Sequence, residues 1–362
     1  MAQIAVGNQG QAAGAIQNRP YPPSWVDRFT DWVQRLPGPA WLFYVGMAVV
    51  FILIRTVIAW NDGSYPAGTF FPVHVLVAST APYVAFAVGY MNNRAEAALA
   101  DFRPVLTVDD AGYERLRYQL TTMPARPVLV LSLLGFAFGF FGSTPGWLLP
   151  EAQVGLLKLY TSPAASIVDH LLLGLNWIWV AVGVYYAIHK LSLISRIYTQ
   201  HTRVTIFGTA SLHALSRVGA IMTLVWSIQI YLYLTYWIDW RFENPSDAVV
   251  ILLSTPIALL VFIWPLLGAH GLLQKAKTHR KSQVAQRLEA VTDELHRRTD
   301  AGDYSDMANM NDAIDSLIKE QSALDKVSTW PWEPDSVRVV VTALLLPVFL
   351  WAITRVLERL GF

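Results

Sequence analysis

The sequence predicts an all-α, polytopic membrane protein. It would have seven transmembrane helices, an amino terminus inside the cell, a carboxyl terminus outside, and a cytosolic helical hairpin before the last helix. Three observations predict this fold class. The 362 residues are 54% hydrophobic and 15% charged, whereas about 25% of a typical soluble domain is charged. Seven segments hold roughly the 20 mostly apolar residues that cross a bilayer. The Lys and Arg residues concentrate in alternate loops between these segments.

The seven predicted spans are separated by polar loops that contain most of the charged residues. The second span is the least apolar and contains Pro82. The third carries Gly135, Gly139 and Gly142, whose small size permits close packing against another helix. The spans cover residues 39–60, 72–91, 127–149, 167–188, 215–238, 248–272 and 337–357.

The distribution of basic residues predicts the orientation. If the amino terminus is inside, 22 of the 27 Lys and Arg residues lie in inner loops and five lie outside. Cytoplasmic loops carry such an excess of Lys and Arg. We therefore expect a multi-pass protein of the plasma or inner membrane with a cytoplasmic amino terminus. It divides into a cytosolic segment (1–38), six spans with their loops (39–272), a cytosolic hairpin (273–329), and an elbow with the last span (330–362).

A short amphipathic helix is predicted ahead of the first span. Trp25, Phe29, Trp32 and Leu36 recur at spacings of four, three and four, while charged residues such as Asp27 occupy the other face. This pattern is typical of a helix that lies in the membrane interface. We expect it to anchor the amino-terminal segment to the inner side of the bilayer.

A second helix is predicted in the loop after the second span, over residues 109–122. Asp109 and Asp110 stand at its start, where acidic side chains interact favourably with the helix dipole. Pro124 and Pro127 follow its end, because proline removes a backbone donor and blocks helix continuation.

A helical hairpin is predicted over residues 272–327, with its turn at 300–306. Each arm carries apolar residues at alternating spacings of three and four, which is a short heptad seam. The hairpin is either an intramolecular stalk or an assembly domain between subunits. A proline- and tryptophan-rich elbow (330–335) then leads to the last span. The seams comprise Val284, Leu288, Val291 and Leu295 on one arm, and Met310, Ile314, Leu317, Gln321 and Leu324 on the other.

The sequence contains no motif of an enzyme, so we expect no catalytic residue and no cofactor. It has no cysteine, and its eight histidines are scattered, so no metal site is expected. The formal net charge is +1, which gives no basic field for nucleic acid. The lipid bilayer is the expected environment and partner.

Polar residues inside predicted spans are the first candidates for function in a membrane protein. Arg55, near the outer end of the first span, is expected to extend its charge toward the headgroups. A set in the outer half of the fourth and fifth spans predicts an aromatic-walled pocket for a small hydrophobic or lipidic ligand. The alternative is an aromatic belt with hydrogen bonds between helices. The pocket residues are Asp169, His170, Asn176, Trp177, Gln229 and Tyr233.

The last span presents one face formed by Thr342, Leu345, Phe349 and Ile353 at spacings of three, four and four. A ring of copies could line a pore with this face, with hydrophobic constrictions that gate by dewetting. The alternative is a packing helix that faces lipid or the protein interior.

Three stretches of the chain resemble an uncharacterised prokaryotic multi-pass membrane family. They are YERLRYQLTTMPARP at 113–127, STWPWEPD at 328–335 and LLLP at 344–347. That resemblance implies no activity. The layout of the chain also resembles the seven-transmembrane ion-channel superfamily of insect odorant and gustatory receptors. This second resemblance implies a tetramer whose last helix lines a cation pore, whose cytosolic helices form the anchor, and whose ligand binds in the outer half.

Two functional hypotheses follow. The first is a homo-oligomeric ion channel, with a tetramer favoured, in which the last span lines the axis; cation conduction and ligand gating are implied by the resemblance. The second is a membrane sensor or scaffold that conducts nothing and binds a small or lipidic ligand in the outer pocket. A membrane enzyme acting on lipids ranks third, because no acid, base and nucleophile converge in the sequence.

Overall fold

The computed structural model describes residues 19–70, 72–142, 162–202, 210–241 and 245–330, together with positions 338, 341, 342 and 345. Within these residues the secondary structure is nine α-helices and one short 3-10 helix, Arg103–Val105. In chain order the α-helices are α1 Trp25–Gln34, α2 Ala40–Asn61, α3 Pro72–Phe102, α4 Asp110–Thr121, α5 Ala125–Gly142, α6 Pro163–Gln200, α7 Ala210–Arg241, α8 Pro245–Asp300 and α9 Met307–Lys326.

Three helices in the described part of the chain are long and apolar enough to cross a membrane. They are α2, the stretch Val75–Val105 that includes most of α3, and α6, while the apolar part of α5 is shorter. Only 22% of the most apolar window of α2 is buried within the protein. Its outward face carries large apolar side chains such as Val49 and Leu53. Such a surface is suited to lipid, because it would be unfavourable in water.

The predicted first span matches α2 to within one residue at each end, and the predicted fourth span lies inside α6. The helix of the second span ends later than predicted. Helix α3 continues past Met91 to Phe102, through residues predicted to form an inner loop. Ala95, Leu99 and Phe102 are buried and repeat at spacings of four and three. The helix continues because this face still packs against the protein after the apolar run has ended.

Helices α5 and α6 pack at close range, as the glycines of α5 predict. A Cβ at Gly135 would lie 2.6 Å from the carbonyl oxygen of Trp177, and one at Gly139 would lie 2.6 Å from that of Leu173. Only hydrogen fits at these two positions. Helix α6 is therefore held against α5 on one side while its buried residues Val182 and Tyr186 face the core.

Helix α1 is amphipathic, but it buries a different face from the one predicted. Ser24 forms a capping box with Asp27 at its start. Val26 and Val33 are fully buried, whereas Trp32 is 50% exposed. Asp27, which the apolar spacing assigns to the polar face, is only 4% exposed. The interior of the protein, rather than the bilayer alone, therefore covers one side of this helix.

The predicted helix after the second span is present as α4. The side chain of Asp109 caps it by accepting a hydrogen bond from the backbone N–H of Gly112 at 2.8 Å. Leu116 and Leu120 are buried. The local cap and the apolar spacing are sufficient to explain where this helix begins and which side it buries.

Helices α8 and α9 form an antiparallel hairpin. The chain reverses at residues 301–306, where Gly302 and Asp306 adopt φ angles of 70° and 65°. Arg280 pairs with Glu320 at 3.0 Å. Among the residues of the two heptad seams, Val284 on α8 and Leu324 on α9 are fully buried. The other seam residues are only partly covered or exposed, because two helices alone cannot enclose a seam on all sides.

Candidate functional site

A buried ion pair joins α2 to α6. Arg55 Nη2 donates a hydrogen bond to Asp169 Oδ1, and the two side chains are 2% and 3% exposed. We predicted that Arg55 would extend toward the headgroups, and that prediction is wrong. A guanidinium buried among apolar helices requires an opposite charge, because an unpaired buried charge is strongly destabilising.

A second contact sets the register that makes this pair possible. The backbone N–H of Ser162 donates to Asp62 Oδ1 at 2.8 Å, which ties the start of α6 to the end of α2. Arg55 precedes Asp62 by seven residues, and Asp169 follows Ser162 by the same number. Seven residues rise about 10 Å along each helix, so the two charged side chains come level with each other.

A small cavity lies beside the ion pair, between α2, α3 and α6. It has a volume of about 10 Å³, close to the space that one water molecule occupies. Two of its lining residues are polar and the rest are apolar. The lining residues are Phe51, Arg55, Val77, Ala78, Ala81, Leu172 and Asn176.

The two polar residues at this cavity each keep one buried atom without a hydrogen-bond partner among the described residues. These atoms are Arg55 Nε, a donor, and Asn176 Oδ1, an acceptor. Buried polar groups are rarely left unpaired, because an unmade hydrogen bond costs about 1–3 kcal/mol. These two atoms belong to residues that line one cavity, so a single small molecule there could pair with both.

The structure brings some of the predicted pocket residues together and separates others. Asp169 and Asn176 both belong to the Arg55 site. Gln229 is buried but is not among the residues that line the cavity, and it donates through Nε2 to Thr80 Oγ1 at 2.9 Å. This bond joins α7 to α3.

Two more predicted pocket residues, His170 and Trp177, are not among the residues that line the cavity. His170 Nδ1 lies 2.6 Å from the carbonyl oxygen of Ser166 on its own helix. Trp177 is 37% exposed and packs edge to face on Phe138, with ring centroids 4.6 Å apart. The side chain of Tyr233 lies outside the described residues. Ligand binding by this set stays a prediction.

A second cavity lies between α3, α6 and α7 and has a volume of about 20 Å³. Its walls are mostly apolar and include Val84, Met91, Tyr186 and Trp226. Drug-sized ligands occupy pockets of about 300–1,000 Å³. Neither cavity therefore accepts such a ligand in this conformation.

A second polar cluster surrounds the joint between α4 and α5. The carbonyl oxygen of Thr122 accepts hydrogen bonds from Lys190 Nζ at 3.2 Å and from the Tyr21 hydroxyl at 3.1 Å. The backbone N–H of Met123 donates to Asp27 Oδ2 at 3.0 Å. Lys190 also donates to the carbonyl oxygen of Gln119 at 3.2 Å. The buried lysine thus satisfies the last carbonyls of α4, where a cation is favourable.

Sequence reasoning missed this cluster. The spacing Ser24-x-x-Asp27 is the pattern of a capping box, and it could have placed the start of α1 at Ser24. Nothing in the spacing of Lys190 shows that its ammonium turns inward, since its carbonyl partners lie about 70 residues away.

Asp27 belongs to this cluster, lies outside the candidate membrane-crossing helices, and has a shifted pKa. Burial raises the pKa of the Asp27 carboxyl above its ordinary value, while hydrogen bonds from Ser24 and Met123 act in the opposite direction. The net shift is upward. The folded protein therefore holds a proton on Asp27 more readily than the unfolded chain does.

Over the described ranges, no three His, Asp or Glu side chains lie close enough to share a metal ion. The charged groups of both polar clusters are paired with protein atoms, Arg55 with Asp169 and Lys190 with the carbonyl oxygens of Gln119 and Thr122. Their evident role is to fix helices relative to one another.

Two of the four predicted pore-lining residues can be located. Thr342 and Leu345 are helical and exposed, and Leu345 is 57% exposed. Phe349 and Ile353 lie outside the described residues.

The fold and site together define an all-α protein with long apolar helices able to cross a membrane and a buried ion pair between two of them. No family model, curated protein or solved structure matches the chain. The two resemblances drawn from sequence therefore stay predictions.

Proposed function

We propose that the protein is a homo-oligomeric ion channel of the cell membrane, with a tetramer as the favoured assembly. In this proposal the chain crosses the bilayer seven times, with the amino terminus inside and the carboxyl terminus outside. The last span lines a shared axis, and cations are the favoured ions. The basic residues in the predicted inner loops support the orientation.

The observation that carries the proposal is the exposure of Thr342 and Leu345 in a single copy. They lie three residues apart on the face that the sequence assigns to a pore. The exposed surface of this helix, which also includes Val341 at 44%, is available to other copies around an axis. Thr342 supplies a hydroxyl, and Leu345 supplies an apolar side chain of the kind that forms a dewetting constriction.

The internal cavities also favour a path between copies. Those beside Arg55 and Met91 have volumes of about 10 and 20 Å³. Each is the size of a single water site rather than of a continuous passage. An ion path through the centre of an assembly does not require a passage through the bundle of one subunit.

The contacts of residues 327–330 with α8 support a link between the hairpin and the last span. The ring of Trp330 stacks on His270 of α8, with centroids 4.0 Å apart. His270 Nδ1 lies 3.0 Å from the carbonyl oxygen of Thr329. Lys277 Nζ donates to the carbonyl oxygen of Val327 at 2.8 Å. These contacts hold the chain leaving α9 against α8, so a displacement of the hairpin would reach the start of the last span.

The proposal is tested by ion flux into liposomes that contain the purified protein. Leu345→Ser removes apolar surface from the proposed constriction, so we expect faster potassium flux than with the unchanged protein. Val341→Ser is the matched control, because Val341 is also an exposed apolar residue, at 44%, but does not belong to the predicted pore face. Equal flux from both variants, or flux no greater than that of protein-free liposomes in every case, would contradict the channel.

A further inference from the structure

The cavity beside Arg55 is bounded by a hydrogen-bond donor and an acceptor that are both unpartnered among the described residues. Arg55 is 2% exposed and Asn176 is 6% exposed. Both line the cavity, and the unpartnered atoms are Arg55 Nε and Asn176 Oδ1. The cavity is therefore polar at two points of an otherwise apolar wall.

The chemistry of these two atoms identifies what fits between them. Arg55 Nε–H can only donate a hydrogen bond, and the amide oxygen of Asn176 can only accept one. A bridging group must accept from the first and donate to the second. Water does both, and a volume of about 10 Å³ is about that of one water position.

We propose that the cavity is a binding site for one structural water molecule, which bridges Arg55 Nε and Asn176 Oδ1. The water gives the guanidinium a second hydrogen-bond partner, since its Nη2 already donates to Asp169. It links α2 to α6 at a second point beside the ion pair. The buried charge is then stabilised by a carboxylate and a water rather than by the carboxylate alone.

An ion or a larger ligand fits this site less well. A cation would face the positive guanidinium, and the carboxylate of Asp169 already engages Arg55. An anion would meet the amide oxygen of Asn176 as well as the donor. The apolar neighbours Phe51 and Leu172 leave no room for more than a small molecule. Water alone satisfies both the volume and the donor and acceptor pattern.

The most direct test is an experimental structure of the full chain in lipid nanodiscs, at a resolution that shows ordered water. We expect a density peak about 2.7–3.2 Å from both Arg55 Nε and Asn176 Oδ1. A cavity without density, or a direct contact between the two side chains, would overturn the proposal.

A matched pair of variants provides a second test that needs no structure. Asn176→Thr and Asn176→Val have nearly the same shape and differ in one hydroxyl. With a bound water, the hydroxyl replaces part of the hydrogen bonding of the amide, and Asn176→Thr melts about 2 °C higher than Asn176→Val. If the cavity holds no water, the hydroxyl of Asn176→Thr does not raise the melting temperature above that of Asn176→Val.

Thermal unfolding of both variants in the same detergent decides between these outcomes. A higher melting temperature for Asn176→Thr supports the bound water. Equal melting temperatures, or a higher one for Asn176→Val, contradict it. If neither variant folds, the density test on the unchanged protein still decides. Ion flux plays no part in either measurement, so this inference can fail or succeed independently of the proposed channel.

Discussion

Arg55 and Asp169 form a hydrogen-bonded ion pair between α2 and α6, with 2% and 3% of their side chains exposed. Both belong to helices that are long and apolar enough to cross a membrane. Charged residues in such helices are costly unless they are paired. The contact between Asp62 and Ser162 sets the register in which the pairing occurs, so this contact at the helix ends and the buried ion pair depend on each other.

Removing one member of this pair is expected to destabilise the protein strongly. Arg55→Met leaves Asp169 buried without its partner, and the expected loss is about 3–5 kcal/mol in the free energy of unfolding. Chemical unfolding in detergent micelles, followed by tryptophan fluorescence, measures it.

The control for that experiment is the double variant Arg55→Met with Asp169→Leu. It removes both charges, so most of the stability is expected to return, because a buried ion pair and an apolar pair are often of similar stability. A double variant as unstable as the single one would mean that packing, rather than charge, determines the loss.

The close approach of α5 and α6 gives a second prediction. Gly135→Ala places a methyl group 2.6 Å from the carbonyl oxygen of Trp177, so the helices must separate. We expect a loss of about 1–3 kcal/mol. Gly46→Ala in α2 is the matched control, since nothing lies within 4 Å of its added Cβ. It is expected to be neutral or slightly stabilising. Equal melting temperatures for the two variants would refute the close-packing account.

The docking of the amino-terminal helix gives a third prediction. Asp27 accepts hydrogen bonds from the backbone N–H groups of Ser24 and Met123. Asp27→Ala leaves these donors unpaired, and we expect faster hydrogen exchange and faster proteolysis of α1. Asp27→Asn keeps an acceptor oxygen and should be affected much less. Similar protection of α1 in both variants would show that the carboxylate does not hold this helix.

The upward shift in the pKa of Asp27 gives a prediction about pH. A group that is more basic in the folded state binds its proton more readily there than in the unfolded chain. Its contribution to stability is fully present below the unfolded pKa and is lost as pH rises through the folded pKa. The stability of the natural protein relative to Asp27→Asn should therefore fall as pH rises above the ordinary aspartate range. Melting temperatures of both proteins across a pH series measure the direction of this change. If the melting temperature of the natural protein rises with pH relative to that of Asp27→Asn, the prediction is contradicted.

The helical hairpin gives a further prediction. Leu324 of α9 is fully buried against α8, whereas Ile318 on the same helix is 47% exposed. Leu324→Ala removes apolar contacts between the two helices, so α9 should become more sensitive to protease. Ile318→Ala removes a similar side chain from the outside and should leave the intramolecular hairpin intact. Equal sensitivity in the two variants would contradict the packing seen in one copy.

The sequence predicts much of this fold because its strongest signals are local. Apolar runs identify α2 and α6, and Asp109 with its following apolar spacing predicts α4. Gly135 and Gly139 predict a close helix contact, although they do not say which helix makes it. Each of these inferences depends on residues within a few turns of one another.

The candidate site was less predictable because its partners are far apart in the chain. Asp169 and Asn176 are recognisable as polar residues in an apolar segment. Their connection to Arg55 depends on a contact across 114 positions and on the register set by Asp62. The same reason explains why Asp27, placed by helical spacing on the polar face, turned out to be buried against the α4–α5 joint.

The proposed channel depends most directly on the number of subunits, which native mass spectrometry of the full chain in lipid nanodiscs can determine. We predict a tetramer, in which four copies of the face containing Thr342 and Leu345 can surround one axis. A stable monomer would contradict the proposal, because a single copy of this face cannot enclose an axis.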